Sequence, residues 1–241
     1  MQTQDAPAEI IFKLWPWLEA NKNRLIGALA GIIVVAGIIY FISAQKEQRE
    51  VDAGQALTLL LVSPAGNAGQ AADSFAQIAA KYPGTAAGQR AQLQAGAAQF
   101  SAGNYADAQA QFQKLLDAGA TTTLAATAAL GVAASLEAQN KLDAAAAAYQ
   151  KVTISYASSS CVLPAEFALG RIAEQQNKLT EAKDHYENAA RAPLGGTLAQ
   201  EASQRAFEIK NKLAAAAPKA AVTPPTVAQP AALTPAAPVA K

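Results

Sequence analysis

His185 and Cys161 are the one histidine and the one cysteine of this 241-residue sequence. Thiol catalysis needs a base beside the sulfur, and Cys161, in the stretch SYASSSC, has no histidine near it in the chain. A single histidine removes most catalytic triads and nearly all zinc sites, which draw on several N and S donors. His185 adjoins Tyr186 on a segment whose apolar face is taken by Ala182, Tyr186 and Ala189, which places it on the surface. Cys161 cannot form an internal disulfide; it reads as a structural thiol, with an intermolecular redox role as the alternative. The run GNAGQ lacks the Lys-Ser/Thr ending of a phosphate-binding loop. Asp107, Asp143 and Glu181 each open a helical segment, where a solvated negative charge suits the helix dipole. No active site emerges from these residues, and neither an enzymatic activity nor a cofactor or metal is expected.

The elements that carry them are helices. Hydrophobic residues make up 51% of the chain but aromatics only 6%, and alanine supplies much of the difference. Alanine favours helices and close helix–helix approach, and fills a sheet sandwich poorly. The net charge of +1 gives no basic face for nucleic acid, and nothing suggests a small-molecule substrate.

Residues 25–44, LIGALAGIIVVAGIIYFISA, carry no charge. About 20 apolar residues at 1.5 Å each cross a bilayer core of about 30 Å. Trp15 and Trp17 precede the run, and Tyr40 and Phe41 lie near its far end, as interfacial aromatics do. The long preceding segment and the weak cleavage site FISAQ favour an uncleaved anchor over a signal peptide. Lys13, Lys22 and Arg24 before it outnumber Lys46 and Arg49 after it, which puts the N-terminus in the cytoplasm and the rest in a bacterial periplasm. Gly27 and Gly31 form a GxxxG pair that would admit a second membrane helix, although glycine is also simply common in such spans. Residues 1–24 read as a short cytoplasmic or interfacial segment. Ile10, Ile11, Leu14, Trp17 and Leu18 there have helical spacing that Pro16 interrupts.

From residue 46 to 213 the chain repeats itself. QNKLDAAAAAYQKV, from Gln139, returns as QNKLTEAKDHYENA, from Gln176. An aromatic residue recurs every 37 positions at Phe75, Phe112, Tyr149 and Tyr186, and alanine at Ala71, Ala108, Ala145 and Ala182. Tyr105, Leu142 and Leu179 form a third series, and Leu93, Leu130 and Phe167 a fourth. Such a period means stacked supersecondary units. Each is a helix–turn–helix hairpin, with Gly103-Asn104, Asn140 and Asn177 at the turns. The units fall at about 51–82, 87–118, 124–156 and 164–191, and 197–213 reads as the helix that closes the stack. Its first helix, VDAGQALTLLLV, meets no breaker before Gly54. From residue 214 to 241 the chain is Ala/Pro-rich, too poor in bulky apolar residues for a core, and reads as a disordered, extended tail.

These residues resemble the tetratricopeptide repeat: Gly96, Gly103, Tyr105, Ala108, Phe112 and Leu115 in one unit, Leu169-Gly170, Leu179, Ala182, Tyr186 and Ala189 in another. The interval exceeds the usual 34 or so, which implies extended loops between hairpins. The fold class is therefore all-α, one transmembrane helix followed by a tetratricopeptide-like solenoid. The resemblance implies a concave groove lined by the first helix of each unit. By position it falls on Arg90; on Leu93, Leu130 and Phe167; on Ala97, Ala134 and Arg171; and on Phe100, Glu137 and Glu174. The groove would be apolar along its centre with charges at its edge, suited to a hydrophobic peptide. For Leu93, Leu130 and Phe167, packing inside the hairpins is the alternative.

The layout of residues 9–213 is similar to the YfgM-like ancillary subunits of the SecYEG translocon. That resemblance implies an inner-membrane scaffold that contacts the translocon and passes unfolded client chains to periplasmic chaperones. A second resemblance rests on FAQIAAKYPGTAAGQRAQLQAGAAQFSAGNYADAQAQF. It is to repeat proteins that assist outer-membrane assembly or envelope constriction, and implies an assembly or Tol-associated division scaffold instead.

Overall fold

The computed structural model describes residues 6–63, 66–192 and 196–216. Its first element, α1, is one unbroken helix, Ala6–Val62, of 57 residues, about 85 Å long at 1.5 Å per residue. The sequence suggested interruptions at Pro16 and Gly54, and neither occurs. A proline removes a single ladder bond and a glycine costs about 1 kcal/mol against alanine. The glycine is offset by packing at the far end of the helix. There Ala53 and Leu57 are buried in one cluster with Phe75, Ala79, Ala87, Ala91 and Ala95. The last turns of α1 thus serve as the first helix of the first hairpin. The stretch Glu19–Val62 is long and apolar enough to cross a membrane, and the described side chains from Ile26 to Ile42 are uncovered.

Among the described residues eight further helices follow: α2 (Ala68–Lys81), α3 (Ala86–Ser101), α4 (Tyr105–Asp117), α5 (Thr122–Ala138), α6 (Leu142–Ser155), α7 (Val162–Gln175), α8 (Leu179–Ala190) and α9 (Gly196–Ala216). The described residues contain no strand. The hairpins are the end of α1 with α2, then α3–α4, α5–α6 and α7–α8, each stacked on the next; α9 packs on α8 and closes the row. It runs past residue 213 to Ala216, so the first residues assigned to the tail are helical; those beyond lie outside the described residues.

A left-handed residue lies between the two helices of each hairpin. Gly66, Gly103, Asn140 and Asn177 have φ of 35°, 82°, 59° and 58°, the left-handed region open to glycine and tolerated by asparagine. In the last three, the next residue closes the preceding helix with a six-residue backbone bond: Asn104 to Gln99 at 2.9 Å, Lys141 to Leu136 at 3.0 Å, Lys178 to Ala173 at 2.8 Å. The linkers between hairpins, residues 82–85, 118–121 and 156–161, are short, so the expected long loops are not where the extra length lies; it sits partly in helices of 16 and 17 residues.

The repeated aromatics fill the hairpins. Phe75, Phe112, Tyr149 and Tyr186 are buried, and Ala108, Ala145 and Ala182 are wholly so. Small residues let the helices close on those rings. A Cβ at Gly96 would lie 2.6 Å from the Phe112 ring, one at Gly131 2.7 Å from its other side, and one at Gly170 2.8 Å from Tyr186.

Candidate interaction surface

α3 and α5 leave an open apolar pocket between them, about 470 Å³ in volume. Leu93 and Phe100 from α3 and Leu130 from α5 form its walls, with Ala97, Ala134 and the Phe112 ring beside them. Leu93 and Phe100 also pack against Phe112 and Leu115, and Leu130 against the neighbouring cluster around Tyr149. Each is half-buried, so groove and core share these side chains rather than excluding one another. Phe100 is steadied edge-on by Tyr105, ring centroids 5.1 Å apart.

The other residues assigned to the groove lie elsewhere. Phe167 stands edge-on to Tyr186 at 5.4 Å and belongs to the last cluster, with Ala182 and Ala189. Arg90 is exposed near the start of α3 and does not reach the pocket. Arg171 reaches back from α7 to α5, its Nη2 2.6 Å from Glu137 Oε1. Gly27 and Gly31 are exposed on α1, with no side chain or neighbouring helix within 4 Å of a Cβ built there.

Glu137 and Glu174, taken from the sequence as edge charges, are turned inward as hydrogen-bond acceptors. Tyr149 Oη donates to Glu137 Oε2 at 2.8 Å and Tyr186 Oη to Glu174 Oε2 at 3.2 Å. Lys212 Nζ approaches Glu174 at 3.9 Å. Where the ring is phenylalanine, at 112, the equivalent acceptor position is Phe100, and the surface is apolar. Tyrosine and glutamate thus change together, twelve residues apart, and that paired spacing is the signal by which the sequence could have revealed them. Burial, then the Glu137 charge and hydrogen bond, push the Tyr149 hydroxyl far above its ordinary range. Burial and Glu174 push Tyr186 up to about 12. Both remain protonated donors. Tyr149→Phe is expected to cost about 1 kcal/mol in denaturant unfolding, and Glu137→Ala about 1–3 kcal/mol, because the latter strands a buried hydroxyl. A smaller loss for Glu137→Ala than for Tyr149→Phe would contradict the assigned donor and acceptor.

His185, expected on the surface, is only partly exposed there. It is half-buried, with Nδ1 2.8 Å from Glu166 Oε2 across the α7–α8 hairpin. The Glu166 hydrogen bond chiefly, aided by the charges of Glu166, Glu181 and Asp184, raises its pKa against the opposing effect of burial. A raised folded-state value stabilises most below the unfolded value of about 6.5 and fades as pH climbs through the folded one. His185→Gln should therefore be less stable than the natural chain by about 0.5–1 kcal/mol near pH 5.5, with the gap closing toward pH 9. A pH-independent gap would contradict the ion pair. Cys161 is buried at the start of α7, its Sγ 3.9 Å from Thr127 Oγ1. Among the described residues, no three His, Cys, Asp or Glu converge as metal ligands would.

Residues 13–216 match the family described as tetratricopeptide repeat-like domain. Comparison with curated proteins gives no match.

Proposed function

The chain belongs to the tetratricopeptide repeat-like family, whose domains are protein-interaction scaffolds, and from that premise we propose that it holds such a scaffold at a membrane and presents the α3–α5 pocket to apolar segments of protein partners. The observation that carries this reading is the direct fusion of the apolar part of α1 to the first hairpin. The stretch able to cross a bilayer runs without a joint into Ala53 and Leu57, which are core residues of the solenoid.

The pocket supports a partner of hydrophobic character. It is walled by Leu93, Phe100 and Leu130 and open to solvent, and the polar pairing that seals later hairpins is missing beside it. The excess of Lys13, Lys22 and Arg24 over Lys46 and Arg49 supports an N-terminus on the cytoplasmic side and a solenoid in a bacterial periplasm. Together with the layout shared with YfgM-like proteins, this favours a station beside the SecYEG translocon, where emerging chains expose apolar segments and periplasmic chaperones receive them. Protease accessibility tests the placement. Protection of residues after Lys46 in intact cells, and digestion once the outer membrane is opened, is the expected pattern. Digestion only after the inner membrane is lysed would put the solenoid in the cytoplasm and end the translocon reading.

A further inference from the structure

The course of α1 also sets how far the α3–α5 pocket stands from the apolar stretch. Glu50 is six residues beyond Ala44, the last residue of the uncharged run, and so about 9 Å further along the helix. Both Glu50 carboxylate oxygens lie 3.0 Å from the backbone amide of Ala86, the first residue of α3. That end of α3 carries free N–H groups and a positive dipole end, which a carboxylate satisfies. Beyond it, Ala53 and Leu57 share a cluster with Ala87, Ala91 and Ala95. α1 and α3 are therefore parallel and fastened at more than one point, with the start of α3 level with Glu50. α5 runs in the same direction, because both it and α3 are antiparallel to α4. Gln92 and Phe100 of α3 meet Gln111 and Tyr105. Gly131 of α5 and Gln139 just past it meet Phe112 and Gln109. The pocket between α3 and α5 thus lies lengthwise along the axis of α1.

Leu93 and Phe100 are seven and fourteen residues past Ala86, about 10 and 21 Å along α3. The pocket walls therefore stand about 20–30 Å beyond the end of the uncharged run. The headgroup layer takes up only about 5–7 Å of that distance, so lipid does not reach the pocket. Nor does a joint let the pocket come down. α1 is unbroken from Ala6 to Val62, and Glu50 and Ala53 tie it to the start of α3. A partner in free solution gains nothing from a fixed height, since it reaches a pocket on a loose tether as readily. A partner leaving the same membrane does gain, because its local concentration at the pocket is greatest when the connecting chain matches the span. An extended chain covers about 20–30 Å with about six to nine residues.

We infer that the occupant of the pocket is an apolar segment of a second chain that emerges from the same membrane beside α1, set off from its own exit by about six to nine extended residues. This occupant presupposes the membrane span and the binding role of the pocket given under the proposed function, and the test separates both from it. The full-length chain, with a photoreactive residue at Ala97 or at Ile154, is reconstituted in vesicles with a synthetic single-span peptide. The peptide carries four, eight, eleven or sixteen prolines between its span and a Leu-rich hexapeptide, a stiff spacer of about 3.1 Å per residue. Adducts at 97 should peak with eight prolines, about 25 Å, and be several-fold fewer with four or sixteen. Seven helix-forming residues inserted between Lys46 and Glu47, two turns or about 10 Å, should move the peak to eleven. Equal yields with all four spacers, a peak elsewhere, or a peak that the insertion does not move overturns the tethered occupant and leaves the pocket as a binding site. Adducts no more frequent at 97 than at 154 with every spacer overturn the pocket itself. Extraction of the chain from the vesicles by alkaline carbonate overturns the span, and the tethered occupant with it.

Discussion

Phe112→Ala should lower the stability of the solenoid by about 3–5 kcal/mol, as truncation of a buried phenylalanine does. The ring is 5% exposed and sits between two helices of different hairpins. On α3 a Cβ at Gly96 would come within 2.6 Å of it, and on α5 a Cβ at Gly131 within 2.7 Å. The two glycines and the ring are one packing unit, the ring occupying the space that two missing side chains leave. Gly96→Ala alone should destabilise by about 1–3 kcal/mol through overpacking, although alanine is the better helix former. Combined with Phe112→Ala, the added methyl meets no ring and should cost far less. The double-mutant cycle, followed by denaturant unfolding, should show a coupling of about 0.5–3 kcal/mol. Additive losses would mean that the ring and the glycine do not share the space.

Ala53→Pro should uncouple the apolar part of α1 from the solenoid. Proline in a helix interior costs about 3 kcal/mol or more, through the lost amide bond and a clash with the carbonyl four residues back. Ala53 is fully buried against α2 and α3, so the ring also presses into the first cluster. Stacked hairpins are stabilised by their neighbours, and the loss should stay local. Hydrogen exchange in α2 is expected to quicken by about a hundredfold, the equivalent of about 3 kcal/mol, while α5 to α8 keep their protection. A uniform change along the chain would contradict an independent first hairpin.

The hairpins were legible because each must solve the same burial problem with the same residues. The aromatic positions 75, 112, 149 and 186 and the turn positions 103, 140 and 177 carry that solution openly in the sequence. The course of α1 was not. Pro16 and Gly54 are local signals of a few kcal/mol, and the contacts that override Gly54, from Glu50, Ala53 and Leu57, are made with residues of α2 and α3, beyond the next turn of the chain. The surface was half legible. Position in the repeat brought Leu93, Phe100 and Leu130 to one pocket, but it could not show that Phe167 turns onto Tyr186 or that Glu137 is taken up by Tyr149 and Arg171. Those choices depend on how each hairpin rotates on the next and on which hydroxyl needs an acceptor. The partner of His185 was hidden for the same reason: Glu166 comes from the other helix of the hairpin.

Site-specific photocrosslinking in intact cells tests the central claim most directly. A photoreactive residue at exposed Ala97, on the rim of the α3–α5 pocket, is compared with one at Ile154, exposed on α6 outside it. The expected result is adducts with translocon subunits or with chains emerging from them at 97, absent at 154 and lost when Ala134→Glu puts a charge into the pocket. Adducts of equal yield at both positions, or translocon adducts that survive Ala134→Glu, would show that the pocket is not where partners bind.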